Sequence, residues 1–318
     1  MIMRPVIVLA LLVLVTSCRD SQTPLAEGPT TTGPAAPANP PSLSGSEGLN
    51  PEARRQRLLR FEHACDQWYS AWTEQEFARM ASLDLLLRDN TNREFAGVLD
   101  DLQNGSPRHK RVMAAALGFS ARAEAVQPLL MALEEQYYEV VMHALFSLYH
   151  LGGPGSSEAA RAAVHAVQPE KLVNYLTHPR PEVRSNTALA LARIVTPATA
   201  KPVLLALLAV AEDAQPRVRL HAIAALSAMR AAEAYPQFVK ALSDDTPLVQ
   251  VRAAIALGLL GKLDAAPYLI EVLARAGAAS QLKHAAMRAL AQILGEPASR
   301  SEDPVFWREL AARRGVKF

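Results

Sequence analysis

The chain has 318 residues, half of them apolar, which is enough to bury a sizeable core. Its 33 basic and 31 acidic residues leave a formal net charge of +2, so there is no clustered basic excess of the kind nucleic acid requires. Cys18 and Cys65 are the two cysteines, too few for a Cys-based metal site.

Arg4 precedes an unbroken apolar run from Pro5 to Val15, followed by Thr16, Ser17 and Cys18. A short basic start, a brief apolar stretch and small residues before a cut describe a secretory signal, too short to span a bilayer as a stable helix. Val15-Thr16-Ser17-Cys18 resembles the lipobox of bacterial lipoproteins. The resemblance implies a signal peptide over 1–17, cleavage between Ser17 and Cys18, and acyl chains on Cys18. It also implies a periplasm-facing membrane anchor in the cell envelope. Arg19 stands where an aspartate would imply inner-membrane retention, which favours the outer membrane, although Asp20 follows one place later. An ordinary signal peptide with an incidental cysteine is the other reading. Each buried CH₂ of an acyl chain adds roughly 0.8 kcal/mol, so three chains hold far more tightly than one. With Cys18 acylated, Cys65 stands alone and no intramolecular disulfide is available.

Residues 18–50 carry the lipid-bearing cysteine and then a Pro-, Ser-, Thr-, Gly- and Ala-rich stretch with Pro24, Pro29, Pro34, Pro37, Pro40 and Pro41. Such a stretch cannot bury enough surface to offset ordering entropy, so it reads as a disordered tether spanning about 30 Å.

Residues 51–104 read as an N-terminal helical cap. Asn50-Pro51 is a helix start, Asn as N-cap and Pro at the first helical position. Phe61, Cys65, Trp68 and Trp72 recur on one helical face. That stripe is core sealing the first edge of the repeats, or a ligand or peptide groove; large aromatics dominate burial, which favours core. Thr73-x-x-Glu76 and Thr91-x-x-Glu94 fit the capping box, so helices are predicted to begin at Thr73 and Thr91.

Residues 105–300 repeat. Units open near Pro107, Tyr138, Pro181, Pro216, Pro247 and Ser280. Val218, Ala222, Ala225 and Leu226 recur as Val249, Ala253, Ala256 and Leu257, then as Leu282, Ala286, Ala289 and Leu290. Offsets of four, seven and eight share one helical face, with alanines allowing close approach. Second helices recur likewise: Pro236, Phe238, Val239 and Leu242 correspond to Pro267, Leu269, Ile270 and Leu273. No strand-like alternation appears, so the fold class is all-α.

Pro-x-Val-Arg, Ala-x-x-Ala-Leu and Ala-x-Pro-x-Leu together resemble the HEAT-repeat family in its short bacterial form. The resemblance implies a right-handed α-solenoid of about six helical hairpins with capping helices, binding protein partners on a concave face formed by the second helices. Gln250 departs from the arginine at Arg184 and Arg219, and Gly152-Gly153-Pro154-Gly155 opens an insertion with helices near 157–167 and 169–175. Residues 301–318 supply a C-terminal cap helix, with Phe306, Trp307 and Leu310 over the last apolar face.

The sequence carries no phosphate-cradling Gly loop, nucleophile elbow or His-Glu-x-x-His. No catalytic residue, metal or cofactor is expected. His143 and His221 share a slot, which favours structural roles over zinc. Arg184 and Arg219 read as a structural ladder with carboxylates such as Asp213 and Asp244. Gln237, Lys240, Tyr268 and Glu271 occupy outward slots of second helices and are the candidate partner-binding residues, tyrosine being enriched at interfaces. The reading is a monomeric, non-catalytic, membrane-anchored scaffold for envelope proteins that binds no nucleic acid. Its rivals are a ligand-binding lipoprotein using the aromatic N-terminal helices and an enzyme resembling phycobilin lyases, which an export signal contradicts.

Overall fold

In a computed structural model, which describes residues 50–74, 76–196, 201–296 and 301–318, the regular elements among the described residues are all helical. The chain divides between Arg57 and Leu58. The described part of the first unit is the opening of one helix, and residues 58–318 form the second unit. The expected signal peptide over 1–17, Cys18 and the tether as far as residue 49 lie outside the described residues. Among the described residues no helix is long and apolar enough to cross a membrane.

Helix α1 (Pro51–Thr73) starts where Asn50-Pro51 predicts, with Asn50 Oδ1 accepting from Glu52 N at 3.0 Å. This satisfies one of the amides that a helix start leaves free. The two expected capping boxes begin no helix. Thr73 is instead the last residue of α1, and its hydroxyl donates back to the Ser70 carbonyl at 2.8 Å. Helix α2 (Phe77–Arg93) follows Glu76, whose carboxylate takes the Arg79 guanidinium. Thr91 is buried in the last turn of α2 and donates to the Ala116 carbonyl at 3.3 Å; α3 (Phe95–Asn104) begins after Glu94. The Thr-x-x-Glu spacing misleads because a threonine hydroxyl can donate to a carbonyl as well as accept from an amide.

The first helices of the repeats begin at the aligned openings: α4 (Pro107–Leu117), α6 (Tyr138–Leu151), α9 (Pro181–Ile194), α11 (Pro216–Ala228), α13 (Pro247–Leu260) and α15 (Ser280–Leu294). Proline opens α4, α9, α11 and α13, at the position where its missing amide would be unpaired anyway. The second helices are α5 (Val126–Ala132), α10 (Lys201–Val210), α12 (Tyr235–Ala241) and α14 (Ala266–Ala274). In the insertion, α7 (Glu158–His165) is N-capped by the Ser157 hydroxyl, which accepts from Ala160 N at 3.1 Å. Helix α8 (Glu170–Val173) then runs on into the 3-10 turn Asn174–Thr177.

First helices stack in chain order from α4 to α15, and second helices pack against them, which makes residues 105–294 a two-layered α-solenoid. Its core is the repeated set: Val140, Ala144 and Leu148 are fully buried, as are Val218, Ala222 and Leu226, and Val249, Ala253 and Leu257. Each buried Val or Leu contributes roughly 1.5–3 kcal/mol. Among the close approaches between first helices, two fall at one slot. A Cβ on Gly118 would stand 2.6 Å from Ser147 Oγ, and one on Gly258 would stand 2.9 Å from Ala289 Cβ. Each glycine follows the shared leucine of its unit, Leu117 or Leu257, so one slot brings neighbouring backbones together in both places.

Helix α16 (Pro304–Arg313) starts on Asp303, whose Oδ1 accepts from Val305 N at 2.9 Å. Trp307 is fully buried and its Nε1 donates to the Ser301 carbonyl at 2.6 Å. Leu310 packs on the core, but Phe306 departs from the expectation and is 40% exposed. Successive residues of a helix point in different directions, so α16 cannot bury both aromatic neighbours against one layer. It packs chiefly on α14 and so extends the second-helix layer.

Candidate functional site

The repeated arginines are held from both sides of a turn. Arg184 reaches Asp213 in the next unit through two bonds, Nε to Oδ2 at 2.8 Å and an Nη to Oδ1 at 3.0 Å, and also donates to the His178 carbonyl. Arg219 repeats this with Asp244 at 2.7 and 2.8 Å, adds Asp245, and donates to the Asp213 carbonyl. Fork-to-fork pairing fixes geometry as well as charge. Although burial opposes it, hydrogen bonding to Arg184 and to the Gln215 amide holds the Asp213 carboxyl below its usual range. The Arg219 guanidinium and the Thr246 amide do the same for Asp244. Gln250, in the arginine slot of the third copy, donates to the Asp244 carbonyl at 2.5 Å. No charge on these arginines is left over for a ligand.

The second-helix slots differ from one unit to the next. On α14, Tyr268 is 44% exposed and Glu271, one turn later, is exposed. They line a shallow depression with Asp264, Pro267, Lys317 and Phe318. On α12, Lys240 is exposed and forms an ion pair with Glu212 of the preceding unit. Gln237 does not point outward as its slot suggests. It is half-buried, and its Oε1 is buried without a hydrogen-bond partner among the described residues.

The aromatic stripe of α1 is packed against the first helices. Phe61, Cys65 and Trp68 are buried, and Trp72 is half-buried. The Trp68 ring meets Phe119 at 5.3 Å, Phe146 at 5.6 Å and His150 at 5.9 Å, and its Nε1 donates to Asp84 Oδ1 at 2.7 Å. The Tyr69 hydroxyl is hydrogen-bonded to His143 Nδ1 at 3.0 Å, and Trp72 stacks on Phe146 at 5.5 Å. Such ring pairs add about 0.5–1.5 kcal/mol each beyond area burial. Burial pushes the Cys65 thiol up to about 12, which keeps it a protonated, unreactive packing group.

The histidines have structural partners. His150 Nδ1 lies 3.0 Å from the Gly118 carbonyl, and His221 Nδ1 lies 2.9 Å from Ser185 Oγ. Burial carries His143 down to about 4 and, together with Arg217, carries His221 down to about 3, so both are neutral at ordinary pH. Among the described residues no group of three His, Cys, Asp or Glu side chains could hold a metal ion.

Sequence reasoning missed the partners of the α1 aromatics. His143, Phe146 and His150 form a stripe along α6 distinct from Val140, Ala144 and Leu148, and Phe119 follows Gly118. The signal was present as apolar or neutral residues at slots that solvent would otherwise occupy.

Residues 204–291 match the family described as HEAT repeats. No curated protein matches the sequence. Among solved structures, an engineered protein is similar at a TM-score of 0.55 and 20% identity, covering 86% of this chain and 70% of its own. A second engineered protein is similar at 0.50 and 23%, covering 63% and 96%. The YibA protein of Escherichia coli is similar at 0.51 and 15%, covering 81% and 96%. At these identities the likeness shows the fold alone.

Proposed function

From a solenoid of HEAT-like repeats we infer a non-catalytic, lipid-anchored scaffold of the bacterial envelope that docks a protein partner on its second-helix layer. The observation that carries the reading is the depression on α14, where Tyr268 and Glu271 stand exposed beside Phe318 and Lys317. A large amphipathic ring beside charges of both signs, on a helix whose other face is locked in the core, is what an interface anchor needs. The ladder arginines are forked onto carboxylates of the next unit, and the buried histidines each hold a partner through Nδ1 inside the fold, so neither set faces a ligand. The Val15-Thr16-Ser17-Cys18 tetrad supports the anchor, with the stretch after it as a spacer between membrane and repeats.

The test is a crosslinking pulldown from the envelope with Tyr268→Ala and Glu271→Ala together. The partner set should be lost while the circular dichroism spectrum stays that of the unsubstituted chain; an intact partner set would place docking elsewhere. Cys18→Ala should move the protein out of the membrane fraction, and unchanged fractionation would count against lipidation.

A further inference from the structure

Beyond the last turn of α1, the first-helix layer carries two arginines that the ladder does not use. Arg217 lies in the first turn of α11, with its guanidinium 5.7 Å from the Trp72 ring centre. Arg252 lies on α13, stacked against α11, at the slot that His221 occupies on α11. Arg217 is one turn before His221 on the same face, so the two guanidinium groups flank one buried, neutral imidazole. Both act on that imidazole and push it further from protonation.

Neither arginine has an ion pair, and Arg252 has no hydrogen bond, among the described residues. This contrasts with Arg184 and Arg219, each of which is forked onto a carboxylate. Arg252 is half-buried, and desolvation lowers its affinity for its proton. A buried guanidinium without a counter-charge is costly, and a cation in the first turn of a helix opposes the helix dipole. Neither the carboxylate at the matching slot of α9 nor the one just past Trp72 relieves this. Glu182, at the slot of Arg217 on α9, is exposed and paired with neither arginine, and Glu74 accepts from Ser70 Oγ at 2.9 Å. Apolar surface adjoins the charges: Leu248 is 57% exposed, while Val251 and Ile255 are only partly buried.

We propose that Arg217, Arg252 and Trp72 form a docking site for an acidic peptide segment carrying apolar residues between its carboxylates. The carboxylates would fork onto the two guanidinium groups and the apolar side chains would cover Leu248 and Val251. The site is on the first-helix layer and does not depend on the Tyr268 depression, so either can fail without the other.

The test uses the full chain and an amidated hexapeptide of alternating glutamate and leucine that carries fluorescein on its N-terminal amine, followed by anisotropy. A lysine–leucine hexapeptide and inorganic phosphate serve as competing probes. The acidic peptide should bind and the basic one should not. Arg217→Gln and Arg252→Gln should each weaken binding by about tenfold or more, as removing one partner of a desolvated charge pair does. Arg252→Lys, which keeps the charge but loses the fork, should weaken it less. Unchanged circular dichroism identifies variants that remain folded. Equal binding by the folded double glutamine variant would overturn the site. Full displacement by millimolar phosphate would overturn its assignment to a peptide in favour of a small anion.

Discussion

Arg219 holds Asp244, Asp245 and the Asp213 carbonyl at once, with the arginine and Asp244 side chains 14% and 10% exposed. The arrangement works because each unit brings a carboxylate to the turn of the one before it. It stops at Gln250 for a physical reason: no Asp or Glu occurs between Glu271 and Glu296, so an arginine there would find no carboxylate in the following unit. Gln250→Arg is therefore expected to change stability by less than about 0.5 kcal/mol, against the gain that restoring a repeat consensus would suggest, because an arginine there keeps the Asp244 carbonyl bond, as Arg219 keeps that of Asp213, and gains no carboxylate. Urea unfolding measures the difference. The histidines set a pH dependence of definite sign. His143 and His221 have folded pKa values near 4 and 3, below the ordinary 6.5, so the unfolded chain binds more protons in that interval. Their neutral forms stabilise the fold above pH 6.5, and that contribution falls as pH drops from 6.5 towards 4, each by on the order of 1–3 kcal/mol. In a pH series of urea melts, His221→Asn should flatten the slope over this window.

Between elements, the close approach of first helices depends on glycine at one slot. Gly258→Ala should cost about 1–3 kcal/mol, because its Cβ would meet the Ala289 backbone and side chain at 2.9 Å and α13 and α15 would have to part. Gly261→Ala nearby makes a useful contrast. Its cost comes from the left-handed φ of 72° and not from crowding, since nothing lies within 4 Å of its Cβ position. Differential scanning calorimetry of both variants, with Gly258→Ala/Ala289→Gly as the rescue, separates the two causes. Hairpin boundaries were legible in the chain because proline and the Val/Ala/Leu slots report on a helix's own neighbours. The ends of α1 and α2 were not, because Thr73 and Thr91 spend their hydroxyls on carbonyls, and only the folded structure puts Ala116 beside Thr91. Tyr268, Glu271 and Lys240 were legible as exposed slots. Gln237 was not, since its burial depends on packing around α12 that an isolated helix face does not reveal. Arg217 and Arg252 escaped for the converse reason: an unpaired charge is a property of what is absent around it.

For the repeats as a whole, each unit touches mainly its neighbours, so stability is distributed along the stack and its ends matter most. Trp307→Ala should destabilise by about 3–5 kcal/mol, from lost burial and the lost Ser301 bond. Hydrogen exchange should rise first in α14 and α15, which α16 covers, and last in α9 and α11; uniform loosening would show that the stack unfolds as one block. The N-terminal end obeys a different rule. The Tyr69–His143 hydrogen bond joins residues 74 positions apart, and the Trp72 ring also waits for Arg217 on α11. Contacts of such separation cannot form until the intervening chain exists and its loop-closure cost has been met. During synthesis, then, the first helix of the described residues is among the latest to dock. Its Trp68 and Trp72 stay open to water until α6 brings Phe146 and His150 beneath them. A folding factor or quality-control protease would meet that sticky segment first, which makes the passage of the nascent chain, more than the finished fold, its most vulnerable stage.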